Sequence, residues 1–210
     1  MAHGTDGGGP NRLPACAQGL FGFKPSRARM LPGEAGGVHG ATKTNQAISR
    51  TVRDSAALLV HTEDPNGPFP AIGLVTGPAN RRLKIGYAPM IRGGIAVDPA
   101  VAAAQENTVQ LLRDLGHDVV DAIIPVDQEE FFRNFNGAFL RQFGVVAEQA
   151  RSISGASAGE SGLLDPFTAS LIEWGSSFSA EDQAAGAAYL QKVPGLFDAL
   201  FKNIDVLLSP

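Results

Sequence analysis

The chain has 210 residues, 44% of them apolar and 18% charged, enough for one medium domain with a substantial core. A net charge of −4, with no Lys/Arg cluster beyond Arg81-Arg82-Leu83-Lys84, speaks against nucleic acid as a partner. A single cysteine, Cys16, excludes an internal disulfide and CxxC-type metal chemistry, and no apolar run reaches the roughly eighteen residues of a membrane span, so a soluble, cytoplasmic protein with no membrane partner is expected.

The glycine-rich head, Met1 to Gly9, offers no pattern for a regular element. Leu20-Phe21-Gly22-Phe23 reads as a short buried strand stopped by Pro25, and Met30 to Ala47 as loop. Ser49 or Thr51 can cap a helix to about Thr62, with Val52, Ala56, Leu59 and Val60 at helical spacing. Asp64 to Asn80, "DPNGPFPAIGLVTGPAN", is rich in proline and glycine and reads as a surface loop.

Leu83 to Ala88 predicts a strand. Asp98-Pro99 supplies a cap and a first-turn proline for a helix that turns Val101, Ala104, Thr108, Leu111, Leu112 and Leu115 inward and ends at Gly116. His117 to Pro125 is the next strand, which makes a βαβ unit and points to an α/β sheet with a right-handed crossover. Asp127 and Glu130 start a helix to about Ala150 whose stripe of Phe131, Phe135, Phe139 and Phe143 reads as core. Ser152 to Gly162 is a small-residue loop. Asp165-Pro166 opens a helix to about Trp174, and Ser179 opens another that Pro194 is expected to break. Ile204 to Pro210 is a last strand. The chain opens in a glycine loop and stops just after an apolar strand. It therefore reads as one partial domain, 1–210, lacking an N-terminal portion and the C-terminal end.

Gly7, Gly8 and Gly9 free the main chain for close approach. Three readings stand beside each other: a flexible turn, a phosphate loop, and a nest of N–H groups that holds an oxyanion. The phosphate reading fits poorly, because neither GxxxxGK[ST] nor GxGxxG spacing is present.

The flanks add Asp6, Arg12, Pro14, Gly19, Gly22, Lys24 and Pro25 at fixed intervals. "GTDGGGPNRLPACAQGLFGFKPSRAR", Gly4 to Arg29, closely resembles the core motif of the amidase signature family, Asp-x-Gly-Gly-Ser-x-Arg-x-Pro followed by Gly-Leu-x-Gly-x-Lys-Pro-Ser/Thr. "AISRTVRDSAALL" resembles that family's following helix entrance, and "DVLLSP" its late strand. The resemblance implies an α/β/α sandwich around a mixed sheet with helices on both faces. It implies hydrolysis of a small carboxamide through an acyl-serine intermediate, by a Ser–cis-Ser–Lys triad with no metal or cofactor. It also implies an oxyanion hole on the backbone of Gly7, Gly8 and Gly9, with Asp6 and Arg12 bracing the loop.

This sequence departs from the family at its centre. The nucleophile position is Pro10, which has neither a hydroxyl nor an N–H. The next position, commonly isoleucine in the family, is Asn11. The family's lysine and cis-serine fall before Met1. Loss of a nucleophile costs an analogous triad on the order of a million-fold in rate, so the chain is expected to be inactive as it stands. The alternatives are a non-catalytic binding or scaffold member of the fold, and a truncated product without function; association into an oligomer is compatible with each. Cys16 is expected to fill a small buried position, Lys24 to be structural, and Trp174 to pack in the core. His3, His39, His61 and His117 have no paired acid at a telling spacing.

Overall fold

The computed structural model describes residues 1–31, 44–89 and 97–210. The fold is mixed α/β, and the chain divides into two compact units, Met1–Asn80 and Arg81–Pro210.

The first unit runs β1 (Ala2–Asp6), α1 (Arg12–Ala17), β2 (Phe21–Gly22), β3 (Thr44–Ser49) and α2 (Val52–Thr62). β3 is the centre of a three-stranded antiparallel sheet with β1 and β2 on either side. Two expectations are corrected here. The head is a strand, and the stretch taken as loop up to Ala47 contains the start of β3; residues 32–43 of that stretch lie outside the described residues. The physical reason is non-local. Ala-His-Gly-Thr-Asp has little strand propensity of its own, but it pairs in register with β3, Ala2 opposite Ile48 through Asp6 opposite Thr44. β2 is shorter than expected and half-buried.

Thr51 is the cap of α2, its hydroxyl accepting from the Asp54 N–H at 3.1 Å. Behind it, the buried hydroxyls of Ser49 and Ser55 meet at 2.9 Å, and Ser49 also donates to the Thr51 carbonyl at 2.7 Å. The proline-glycine loop beyond α2 is irregular, as expected, but it is tied down. Arg29 pairs with Glu63, donates to the Pro70 carbonyl at 3.1 Å and lies 4.8 Å over the Phe69 ring, while Glu63 accepts from the Ile72 N–H at 3.0 Å.

The second unit runs β4 (Lys84–Tyr87), α3 (Pro99–Asp114), β5 (Asp118–Asp121), α4 (Gln128–Leu140), a 3-10 turn (Arg141–Phe143), α5 (Gly144–Ser154), α6 (Pro166–Ser176), α7 (Ala180–Leu200) and β6 (Val206–Leu208). Its sheet is parallel with order β5-β4-β6, so β4-α3-β5 is the expected βαβ unit. The helix starts follow local chemistry: Asp98, Asp127 and Asp165 cap with their carboxylates, and Ser179 with Asp182 forms a capping box. Gly116, at φ +84°, ends α3 in the left-handed conformation.

Four expectations in this unit are corrected. α3 turns Ala102, Gln105, Val109 and Leu112 inward, while Val101, Ala104, Thr108, Leu111 and Leu115 are exposed. The crossover, and the Tyr87 hydroxyl that donates to Gln105 at 3.4 Å, set which face meets the sheet. The long helix expected to run to Ala150 stops at Leu140. Its break precedes Gly144, a weak helix former, where Arg141 donates to the Phe178 carbonyl at 2.7 Å. α5 then carries on to Ser154, into the expected small-residue loop. α7 continues through Pro194, which forfeits one backbone bond in a helix long enough to absorb the loss.

The helices of this unit meet through glycine. A Cβ on Gly186 of α7 would stand 2.3 Å from the Asn134 carbonyl oxygen of α4, and one on Gly175 of α6 would stand 2.4 Å from that of Leu140. The phenylalanine stripe forms a ladder: Phe131 and Phe135 stack at 5.9 Å, Phe135 and Phe139 at 5.2 Å, and Phe139 meets Phe143 edge-on at 5.9 Å. All four rings are half-buried rather than fully enclosed.

Candidate active site

The glycine motif lies between β1 and α1. Asp6, the last residue of β1, has no solvent exposure. The chain turns around its carboxylate. Oδ1 accepts from the Gly9 N–H at 2.7 Å, and Arg12, six residues on, closes a two-pronged ion pair through Nε at 2.8 Å and NH2 at 3.0 Å. The Asp-x-x-Gly-x-x-Arg spacing thus wraps one tight turn round one buried charge. Burial by itself would raise the Asp6 pKa, but the hydrogen bonds from Arg12 and Gly9 outweigh it and hold the carboxyl below its ordinary value. Arg12 is correspondingly held above its own.

Gly9 has φ +117°, a conformation that favours glycine, and a Cβ there would also lie 2.9 Å from the exposed Leu13 side chain. The Gly9 carbonyl accepts from the Leu13 N–H at 2.8 Å and begins the helical turn. Of the three glycine amides, that of Gly9 is spent on Asp6. The Gly7 and Gly8 amides make no hydrogen bond among the described residues. Pro10 is exposed at the crest of the turn.

Lys24 sits half-buried nearby in the same unit. Its amine donates to the Pro25 carbonyl at 2.9 Å and reaches the Thr44 hydroxyl at 3.5 Å. Burial, then the neighbouring Arg12, lowers its pKa, with Asp6 opposing. Thr44 and Gln46, both on β3, are buried as well. Sequence reasoning did not select these two, since polar residues in a presumed loop carry no burial signal.

Other expected positions separate from this cluster. Cys16 is exposed, not buried. Ala15 takes the buried place on α1, and the next residue turns about 100° away from it. His3 is exposed on β1 and His61 on α2, and His39 lies outside the described residues. His117 Nδ1 accepts from the Leu83 N–H at 3.0 Å, a backbone tie at the entrance of β4. Trp174 is 49% exposed, against Phe178 at 6.3 Å, so it is not core. A groove of about 590 Å³, which includes Glu148, Arg151 and Glu173, belongs to the second unit and contains no residue of the glycine motif. Among the described residues, no three His, Cys, Asp or Glu side chains are grouped as metal ligands would be.

Comparison with known proteins agrees with the motif. The family model "Amidase" matches residues 1–210. The chain belongs to the amidase family. Similar proteins include the putative amidase AmiB2 of Mycobacterium tuberculosis H37Rv, 29% identical over 214 residues that cover 100% of this chain and 44% of that protein. The 6-aminohexanoate-cyclic-dimer hydrolase of Paenarthrobacter ureafaciens is 31% identical over 206 residues, covering 90% of this chain and 40% of its own length. The chain thus spans less than half the length of these curated relatives. Among solved structures, a bacterial aryl acylamidase of the amidase signature family superposes with a TM-score of 0.74 at 23% identity, over 100% of this chain and 45% of that one. A 6-aminohexanoate cyclic dimer hydrolase superposes with the same TM-score at 24% identity, over 96% and 44%. These structural likenesses establish the shared amidase fold. No helix among the described residues is long and apolar enough to cross a membrane.

Proposed function

We propose that this chain is a catalytically silent member of the amidase family, which offers a small carboxamide a backbone cradle without hydrolysing it. The observation that carries the reading is Pro10. An acyl-enzyme forms when a side-chain oxygen or sulfur attacks the amide carbon and the amine leaves with a proton. The proline ring has no such atom and no proton to pass on. Its lack of an N–H also removes one donor from the turn. Asp6 and Arg12 are engaged with each other, so they shape the loop and do not exchange protons with a substrate. The Gly7 and Gly8 amides, which make no hydrogen bond among the described residues, are what the turn offers to a carbonyl oxygen. The single exposed thiol of Cys16 fits a reducing, cytoplasmic setting.

The similar proteins suggest which amides to try first: an aryl acylamide and a cyclic amide, with a small aliphatic amide beside them. The chain is expected to turn over none of them, and Pro10→Ala is expected to change nothing. Turnover that survives Pro10→Ala would overturn the silent reading. A concentration-dependent rise in Tm with an unhydrolysed amide supports the cradle, and no shift with any of the three removes the binding half of the proposal.

A further inference from the structure

The most demanding polar group in the first unit lies next to Pro10 and has no part in the reading above. Asn11 is 1% exposed, and neither its Oδ1 nor its Nδ2 has a hydrogen-bond partner among the described residues. Gln46 is 2% exposed, and its Nε2 is likewise unpartnered. Buried amides left in this state are rare in folded proteins and are commonly met by ordered water.

The two groups are neighbours by register. Gly4 pairs directly with Gln46 across β1 and β3, and residues opposite each other in an antiparallel pair direct their side chains to the same face. Gly4 has no side chain. The Asn11 carboxamide takes that space, with Oδ1 1.9 Å from where a Gly4 Cβ would stand. An acceptor and two donors therefore share one layer between α1 and the sheet. They do not bond to each other. Gln46 Oε1 is committed to the Ala47 N–H at 3.0 Å, which fixes the direction of that amide, and Asn11 is held against the Gly4 main chain.

We propose that this layer is a binding site for internal water. One molecule accepts from Gln46 Nε2 and donates to Asn11 Oδ1, and Asn11 Nδ2 supplies the donor for a second. The water ties the first turn of α1, immediately after Pro10, to the central strand β3. The site rests on burial and register alone, so it stands whether or not the chain binds or hydrolyses amides.

Water-17O magnetic relaxation dispersion on the full chain, compared with Asn11→Leu and Gln46→Met, tests the proposal. The expected result is a long-lived water component that falls by one to two molecules in Asn11→Leu and by at least one in Gln46→Met. Equal amplitude in all three proteins overturns it. A high-resolution crystal structure of the unaltered chain decides the matter independently of how well the variants fold. Water within hydrogen-bond distance of both side chains supports the site; a direct Asn11–Gln46 bond, or a dry layer, overturns it.

Discussion

The two units keep different things inside. The buried apolar residues of Arg81–Pro210 include Ile85, Val109, Leu140, Ile172 and Ile204, with Gln105 as its one buried polar residue among those described. Met1–Asn80 buries Ala15, Met30, Ala47 and Leu59, but also Asp6, Asn11, Thr44, Gln46, Ser49 and Ser55. One interior is held by close packing, including helix contacts that only glycine permits. The other is held by charge and directed hydrogen bonds around a turn. Polar interiors are costly unless each group is met.

The contrast can be broken or sharpened by substitution. The largest effect is expected in the packed unit. Gly186→Val drives side-chain atoms into the α4 backbone, and chemical denaturation should show a loss of about 3 kcal/mol. That loss should not depend on pH between 4 and 7, because no charge is involved.

Next comes Asp6→Asn, expected to cost about 2 kcal/mol at pH 7 by removing the charge-assisted bonds to Arg12 and the Gly9 amide. This loss should depend on pH. The folded pKa of Asp6 is depressed, so its contribution is complete above the unfolded value of about 3.9 and is lost as pH falls through the folded value. Tm measured against pH should show the native chain and Asp6→Asn converging in acid. Parallel curves would mean that the ion pair does not hold the turn.

Thr51→Ala removes the α2 cap and should cost about 1 kcal/mol in the same unfolding measurement. The smallest change has the opposite sign. A Cβ on Gly195 meets nothing within 4 Å, so Gly195→Ala should stabilise α7 by up to about 1 kcal/mol. A loss there would show that the glycines of α7 do not divide into contact and non-contact positions as the packing indicates.

The same division separates what was legible in the chain from what was not. Thr51, Asp98, Asp127, Asp165 and Ser179 mark helix starts because a cap acts on an N–H two or three residues away. The motif from Asp6 to Arg12 was legible for the same reason: its carboxylate, amide and guanidinium meet within one turn. Asn11 stood out as a polar residue at a commonly apolar place, although its burial did not. Cys16 and Trp174 were placed inside and lie outside, because one position on a helix separates a buried face from an exposed one.

By itself the order of residues determined the family, the capped helices and the βαβ unit, since each depends on side chains close together in sequence. Only the tertiary structure decided that Ala2–Asp6 is a strand, that α3 hides Gln105 and Val109 rather than Leu111 and Leu115, and that α7 runs through Pro194. It also decided that Gln46 and Asn11 share a layer. Those outcomes depend on partners tens of residues away, and a strand or a helix face has no inside until the segment that covers it has arrived.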